Sequence, residues 1–122
     1  MLQHESRVLV VDNSGAKLVM VIQKLVGSNK KHVYVGDTAI TVVKVSDLTR
    51  RKTFRSALHR ALLVRTKNFT PRSIGFRVKF DESSVILVNK KNLPLGSRLK
   101  GPVVQELCER FPFIGTLSEV IL

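Results

Sequence analysis

The sequence predicts a mainly β protein, in which a small β-barrel precedes a short C-terminal helical segment. Two observations lead to this fold class. Short runs rich in Val, Ile, Leu and Thr follow one another up to residue 88, with turn-forming residues between them. Beyond residue 100, apolar residues recur at the three- and four-residue spacing of a helix. Because the turns are short, we expect the strands to neighbour one another in chain order.

Each predicted strand ends at residues that favour a turn. Residues 12–15, with the sequence Asp-Asn-Ser-Gly, stand between the first two strands, and Gly36 with Asp37 ends the third. Residues 46–56 lack apolar periodicity and glycine, so we expect an exposed loop or a projecting two-stranded arm there. The predicted strands cover residues 7–11, 18–22, 32–35, 38–45, 58–64, 74–80 and 85–88.

Alternation is clearest in residues 74–80. The even positions, from Ile74 to Phe80, are apolar, whereas the odd positions include Arg77 and Lys79. Successive side chains of a strand point to opposite faces. We therefore predict a strand with one packed face and one positively charged face.

The last part of the chain has a helical pattern. Gly101 and Pro102 suit a helix start, because proline is favoured at the first helical position. Pro112 is expected to end this helix, and Thr-Leu-Ser-Glu at residues 116–119 has the capping-box pattern that predicts a second one. The apolar face of the first helix would consist of Val103, Val104, Leu107, Cys108 and Phe111.

The length fits a single domain over residues 1–122, with the barrel in residues 1–90 and the loop and helical tail in residues 91–122. Charge is concentrated in one part of it. The chain has 21 Lys and Arg against 9 Asp and Glu, a net charge of +12 and a pI near 10.6. Residues 50–79 contain ten basic residues and no acidic one. Since a one-signed field repels itself, this distribution indicates a polyanionic partner, first of all a nucleic acid.

The sequence argues against an enzyme, a metal site and a membrane span. Phosphate-binding glycine patterns are absent, and neither Ser14 nor Ser97 has the context of a nucleophile. Cys108, the single cysteine, is expected to be a small buried hydrophobe, and no apolar run is long enough for a membrane helix. We expect no cofactor. Acidic residues at turns commonly bond the backbone, and those at predicted turns are Asp12, Asp37, Asp81 and Glu82.

Three aromatic residues leave two interpretations open. Phe54 and Phe69 lie within the basic segment, and Tyr34 precedes it. Either these rings stack on bases, as in single-strand binders, or they pack on the protein and anchor loops. With 6% aromatic residues and no tryptophan, a stacking platform is not the main mechanism.

Two sequence elements carry a family resemblance. They are Asp-Asn-Ser-Gly-Ala at residues 12–16 and Val-Arg-Thr-Lys at residues 64–67. Both resemble elements of the universal large-subunit ribosomal protein fourteen. The resemblance continues at Gly36-Asp37, at Phe80-Asp81 and in residues 96–107, and it covers essentially the whole chain.

The resemblance implies a five-stranded β-barrel with a projecting basic ribbon and a C-terminal helical segment. It implies a structural, non-enzymatic constituent of the large ribosomal subunit that binds large-subunit rRNA through phosphate and shape contacts. It also implies contact with small-subunit rRNA at an intersubunit bridge, and with large-subunit proteins nineteen and three. A free oligonucleotide-binding barrel that acts on single-stranded RNA is the alternative.

Basic residues are the expected RNA contacts, since Lys and Arg neutralise phosphates without reading sequence. The positions where this family is also basic are Lys17, Lys30, Lys31, Lys44, Arg65, Lys67, Arg72 and Arg98. The basic segment adds Arg50, Arg51, Lys52, Arg55, Arg77 and Lys79.

The tail is expected to dock on protein, because acidic residues return there and apolar residues become dense. In the family, a ribosomal silencing factor docks near the positions of Ser97 and Arg98. Phe113 stands where the family often has a lysine, which leaves the silencing factor an open question here. We predict a protein-docking surface at Ser97, Arg98 and Phe113, with Phe113 exposed in the isolated protein. The other interpretation is that the apolar residues of the tail plug the barrel.

The sequence departs from the family pattern in several places. Residues 48–58 carry basic residues where the family has glycines, and residues 82–84 replace a Gly/Asn turn. This divergence and the absence of a presequence favour an organelle-encoded protein in the mitochondrial matrix. A bacterial cytoplasm and a plastid are the alternatives.

Overall fold

A computed structural model describes residues 5–25, 33–46, 57–68, 70–71, 75 and 77–122 of the chain. Strands predominate, as the runs of Val, Ile and Leu predict. The elements are, in chain order, β1 (Arg7–Val10), β2 (Ala16–Lys24), β3 (Thr38–Ser46), β4 (Leu58–Arg65), β5 (Thr70–Pro71), β6 (Arg77–Val78), β7 (Ser84–Val88), β8 (Leu99–Val103), α1 (Gln105–Arg110), α2 (Pro112–Leu117) and β9 (Ser118–Ile121).

A closed barrel of five strands, in the order β1-β2-β3-β4-β7, forms the centre of the structure. Four of its pairings are antiparallel, and β1 pairs with β7 in parallel. The parallel pair is a consequence of the odd strand number, because strands that alternate in direction end with the first and the last running the same way. The predicted mainly β class and the chain order around the barrel are confirmed.

The barrel interior is the first of two hydrophobic cores. Each strand contributes alternate residues to it, among them Val8, Val19, Val43, Leu63 and Leu87, none more than 3% exposed. The alternation follows from the two-residue period of a strand, which sends every second side chain inward.

The second core lies outside the barrel, on the outer faces of β4 and β7. Leu62 and Ile86 point outward there and pack with Val103, Leu107 and Ile114 from the tail, and all five are buried. The tail therefore covers an outer wall of the barrel. The interpretation that it plugs the barrel is wrong.

Two predicted strands are not strands of the barrel. In residues 33–35, Val33 forms only an isolated bridge, and Gly36 turns the chain with a φ of 91°. Among residues 75 and 77–80, the part of this segment that the structure describes, only β6 is a strand, and it pairs with β5 outside the barrel. Gly75 has a φ of 85°, in the left-handed region that interrupts an extended strand.

The first predicted helix begins later than expected. Gly101 and Pro102 belong to β8, which pairs in parallel with β9, and α1 starts only at Gln105. Two backbone bonds close this pairing: Leu122 N–H donates to the Val103 carbonyl at 2.8 Å, and Gln105 N–H donates to the Leu122 carbonyl at 3.0 Å. Strand pairing has prevailed over the local preference of proline for a helix start.

The predicted capping box is also wrong. The Thr116 hydroxyl donates to the Phe113 carbonyl at 2.7 Å, back into α2, instead of capping a following helix. Residues 118–121 form β9. Pro112 ends α1 as predicted and occupies the first turn of α2, where its missing N–H costs no hydrogen bond.

Candidate nucleic-acid interface

The Asp12 carboxylate fixes the turn between β1 and β2. Its Oδ1 accepts hydrogen bonds from the Ser14 N–H at 3.1 Å and the Ser14 hydroxyl at 2.6 Å. Its Oδ2 accepts from the Leu87 N–H of β7 at 3.0 Å. Asp12 is buried, so these bonds replace the water that the carboxylate has lost. The prediction that this acid bonds the backbone of its turn is confirmed.

Asn13 joins the same turn to the loop before β8. Its Oδ1 accepts from the backbone N–H of Ser97 at 2.7 Å and of Arg98 at 3.2 Å, and its Nδ2 donates to the Ser97 hydroxyl at 2.8 Å. Only glycine fits at position 96, because a Cβ there would lie 2.6 Å from the Asn13 Oδ1. Two segments more than 80 residues apart are thereby held side by side.

The hydrogen bonds of Asn13 to Ser97 and Arg98, which we call the Asn13 clamp, border a groove of about 1030 Å³ between the β1–β2 turn, the start of β8 and the end of α2. Three exposed cations line it: Lys17, Arg98 and Lys100. Two acids also line the groove. Asp12 is buried and hydrogen-bonded within the protein, and Glu119 lies on the surface. Sequence reasoning missed Lys100, because it lies in the tail where acidic residues return.

Lys17 and Lys44 lie at irregularities of the β2–β3 pairing. Val19 pairs with Val43 but Leu18 pairs with Val45, so Lys44 is an extra residue in β3. Likewise, Lys17 is an extra residue in β2, because Ala16 pairs with Ser46. Bulges change the direction of side chains. Here they place both lysines near the same end of this strand pair, with Lys17 exposed and Lys44 half-buried.

A second group of cations lies on the two-stranded β5–β6 sheet and the residues beside it. Pro71 pairs with Arg77, and the Phe80 N–H donates to the Thr66 carbonyl at 3.0 Å. These contacts bring residues 66–68 and 70–71 next to 77–80. Lys67, Arg77 and Lys79 are all exposed there.

Arg65, like Lys44, is half-buried, and it lies at the end of β4. Its guanidinium packs so closely on Gly101 of β8 that a Cβ at position 101 would overlap it, and Gly101 has a φ of 86°. Burial lowers the pKa of Arg65, while the charge of Glu82 acts in the opposite direction. The Nε of Arg65 is buried and has no hydrogen-bond partner among the described residues.

Asp37 has a structural role in the barrel rather than a catalytic one. Its carboxylate pairs with the Lys24 ammonium at 3.0 Å and accepts from the Tyr34 N–H at 2.9 Å. Tyr34 is exposed, and the same ammonium lies 5.9 Å from its ring centroid. Lys24 is therefore engaged within the protein, and the predicted structural role of Asp37 is confirmed.

The predicted docking residues do not share one kind of environment. Ser97 and Arg98 are exposed beside the Asn13 clamp. Phe113 is half-buried against the second core, with its ring centroid 6.0 Å from that of Phe111. The expectation that Phe113 is exposed is wrong, because α2 turns this ring towards the tail's own apolar residues.

Several predicted site residues lie outside the part of the chain that the structure describes. The basic ones are Lys30, Lys31, Arg50, Arg51, Lys52, Arg55 and Arg72. Phe54 and Phe69 also lie there, as does most of the predicted arm.

The described residues contain no cluster of three or more His, Cys, Asp or Glu that could hold a metal ion. Cys108 is half-buried in the tail, and burial, followed by the nearby charge of Glu109, raises the pKa of its thiol. None of the helices within the described ranges is long and apolar enough to cross a bilayer.

The sequence matches the family described as ribosomal protein L14p/L23e over residues 1–122, the whole of the chain. The match extends through both cores, the Asn13 clamp and all the basic positions described above. The chain therefore belongs to the ribosomal protein L14p/L23e family, a family of structural proteins of the large ribosomal subunit.

Proposed function

We propose that this protein binds large-subunit rRNA through phosphate and shape contacts, as one unit that includes barrel and tail. The observation that carries the proposal is the grouping of exposed cations at two places on the described surface. The groove between the β1–β2 turn and β8 has Lys17, Arg98 and Lys100, and the β5–β6 sheet with the residues beside it has Lys67, Arg77 and Lys79.

Two rigid supports suit these cations to a folded RNA. The Asn13 clamp holds Arg98 beside the turn that precedes Lys17, and the backbone bond from Phe80 to Thr66 holds Lys67 next to residues 77–80. Fixed cations lose less conformational freedom when they contact a phosphate. They also select an RNA whose phosphates match their spacing, which is recognition by shape.

Further partners follow from the family and remain part of the proposal. We include contact with small-subunit rRNA at the subunit interface, and large-subunit proteins nineteen and three as neighbours. Ser97 and Arg98 are the proposed position for a silencing factor. The divergence of residues 48–58 and 82–84 supports an organelle ribosome, with the mitochondrial matrix favoured.

Salt dependence tests the phosphate mechanism. If about six to ten phosphates are contacted, affinity for an rRNA fragment should fall roughly 10³–10⁵-fold between about 50 and 200 mM salt. The measurement is a filter-binding or fluorescence titration at several salt concentrations. A flat response would exclude the mechanism.

Charge-neutralising variants assign the phosphate contacts to particular residues. Neutralising Lys17, Arg98 and Lys100 together should reduce the slope of log affinity against log salt by up to about three. Neutralising Arg50, Arg51, Lys52 and Arg55 should reduce it by up to about four if the arm lies on RNA. Lys24 is the matched control, since it is paired with Asp37, and Lys24→Gln should leave the slope unchanged.

Sedimentation distinguishes this function from that of a free oligonucleotide-binding barrel. A ribosomal protein follows the large subunit through a sucrose gradient at moderate salt. A protein that remains near the top of the gradient would support the alternative.

A further inference from the structure

Six apolar side chains form a surface on the outside of the barrel that no part of the described chain covers. They lie in two rows across neighbouring strands, because residues paired directly across strands share a face. The first row joins Leu9 to Leu18 and Leu18 to Val45. We call the whole surface the uncovered wall, and it consists of Leu9, Leu18, Met20, Val42, Val45 and Leu58.

The exposure of this wall follows from the register of the paired strands. Val45 would point inward under strict alternation from Val43, but the extra residue Lys44 turns it outward, opposite Leu18. Leu9, Val45 and Leu58 are 41%, 47% and 64% exposed. Leu18, Met20 and Val42 are half-buried and belong to neither core.

On the opposite side of the same barrel, the tail covers an apolar outer surface. There, Leu62 and Ile86 also point outward, and the tail covers them so completely that each is at most 1% exposed. The apolar wall on β1, β2, β3 and the start of β4 has no such cover within the described part of the chain.

We propose that the uncovered wall is a docking surface for an apolar segment of another large-subunit protein, one that carries Asp or Glu beside its apolar residues. This inference rests on the proposed function, because the partner is encountered in the assembled subunit. Contiguous exposed apolar surface of this kind marks protein interfaces.

The charges around the wall indicate that the partner carries acidic residues. β1, β2, β3 and β4 contain no Asp or Glu. Three cations border the wall: Arg7 pairs with Met20, Lys44 adjoins Val45, and Arg60 lies two residues after Leu58. An apolar centre with a charged rim is the usual anatomy of a protein interface, and here the strands that form the wall contribute only positive charges to that rim.

RNA fits this wall poorly. Its aliphatic side chains cannot neutralise phosphates, and none of the six offers an aromatic ring on which a base would stack. The partner must also bind through side chains rather than by adding a strand, because a closed barrel has no free edge here.

Thiol labelling first tests whether the wall is open in the free protein and covered in the subunit. Leu58→Cys is introduced into a Cys108→Ala chain, so that it carries the single thiol. We expect rapid labelling of the isolated chain and loss of most labelling in intact large subunits. Slow labelling of the isolated chain would mean that its own residues cover the wall. Rapid labelling in the subunit would mean that nothing does, and either result overturns the proposal.

Crosslinking then identifies the cover. A photoreactive residue replaces Leu58 in one full-length chain and Lys67 in another, and both are assembled into large subunits. We expect position 58 to give an adduct removed by protease and mapped to an apolar peptide with Asp or Glu. An adduct removed by ribonuclease, an adduct to a second copy of this chain, or no adduct at position 58 overturns the inference.

Lys67 keeps the two proposals distinguishable. It is an exposed cation away from the wall, and the proposed function predicts an RNA adduct there. A protein adduct at position 58 without an RNA adduct at position 67 would support the docking surface and count against the phosphate contacts. The reverse pattern would leave RNA binding intact and remove the docking surface.

Discussion

Replacing Asp12 with asparagine tests whether this carboxylate holds the barrel and its outer loops together. The change retains the size of the side chain and one acceptor oxygen for Ser14. It replaces Oδ2, which accepts from the Leu87 N–H at 3.0 Å, with an amide N–H group. Two donors then face each other in a buried site. Turning the amide over only transfers the conflict to the two donors of Ser14.

The expected loss of stability is large for one substitution. A hydrogen bond to a charged acceptor contributes about 1.5–3 kcal/mol, and a buried donor without a partner costs about 1–3 kcal/mol. Because these two figures overlap in origin, we expect the free energy of unfolding to fall by about 2–4 kcal/mol. In a chain of 122 residues one kcal/mol corresponds to about 4 °C, so the melting temperature should fall by about 8–16 °C.

Thermal and urea unfolding of the full-length protein measure this change. The control is Asp81→Asn, which removes the same charge from an exposed position and should shift stability by no more than about 0.5 kcal/mol. If Asp12→Asn melts within about 2 °C of Asp81→Asn, the carboxylate does not stabilise the turn as described.

Three further predictions use other sites. Gly96→Ala should destabilise the protein, since its Cβ would lie 2.6 Å from the Asn13 Oδ1. Gly115→Ala, with its nearest contact at 3.8 Å, should be neutral or stabilise α2 by up to about 1 kcal/mol. Urea unfolding compares the two variants, and equal stabilities would contradict the clamp. Burial lowers the pKa of His59 from its ordinary value of 6.5. On acidification the unfolded chain therefore binds the proton first, and the stability of the protein should fall as the pH drops below that value. The melting temperatures of wild type and His59→Gln should diverge across this range, and parallel curves would refute the prediction. Burial and Glu109 raise the pKa of Cys108, so its thiol should react more slowly with a disulfide reagent in the folded protein than in urea, and equal rates would contradict its position.

The barrel was predictable because its determinants are local. Runs of β-branched and aliphatic residues favour strands, and the turn at residues 12–15 needs the residue types that stand there. The roles of Asp12 and Asp37 followed from the same chemistry. In residues 74–80 the alternation was correct for Val78 and Phe80, but the φ of Gly75 ended the strand that the pattern predicted.

The errors arose where distant residues decide local structure. Pro102 favours a helix start, yet pairing of β8 with β9 holds it in a strand. The environment of Phe113 depends on how the tail lies on β4 and β7, which periodicity alone does not reveal. The groove cation Lys100 was missed for a similar reason, since it comes near Lys17 only through long-range contacts such as the bond of 2.8 Å from its N–H to the Val11 carbonyl.

The parallel pairing of β1 with β7 has a consequence for how the protein is made. Leu9 pairs with Ser84, so β1 cannot pair with its second neighbour, β7, until most of the chain has been synthesised. During that time the first four strands form an open sheet with unpaired edges, and such edges recruit strands of other chains. We expect the nascent protein to be most prone to aggregation just before β7 emerges, and early capture by a chaperone to matter most in that interval.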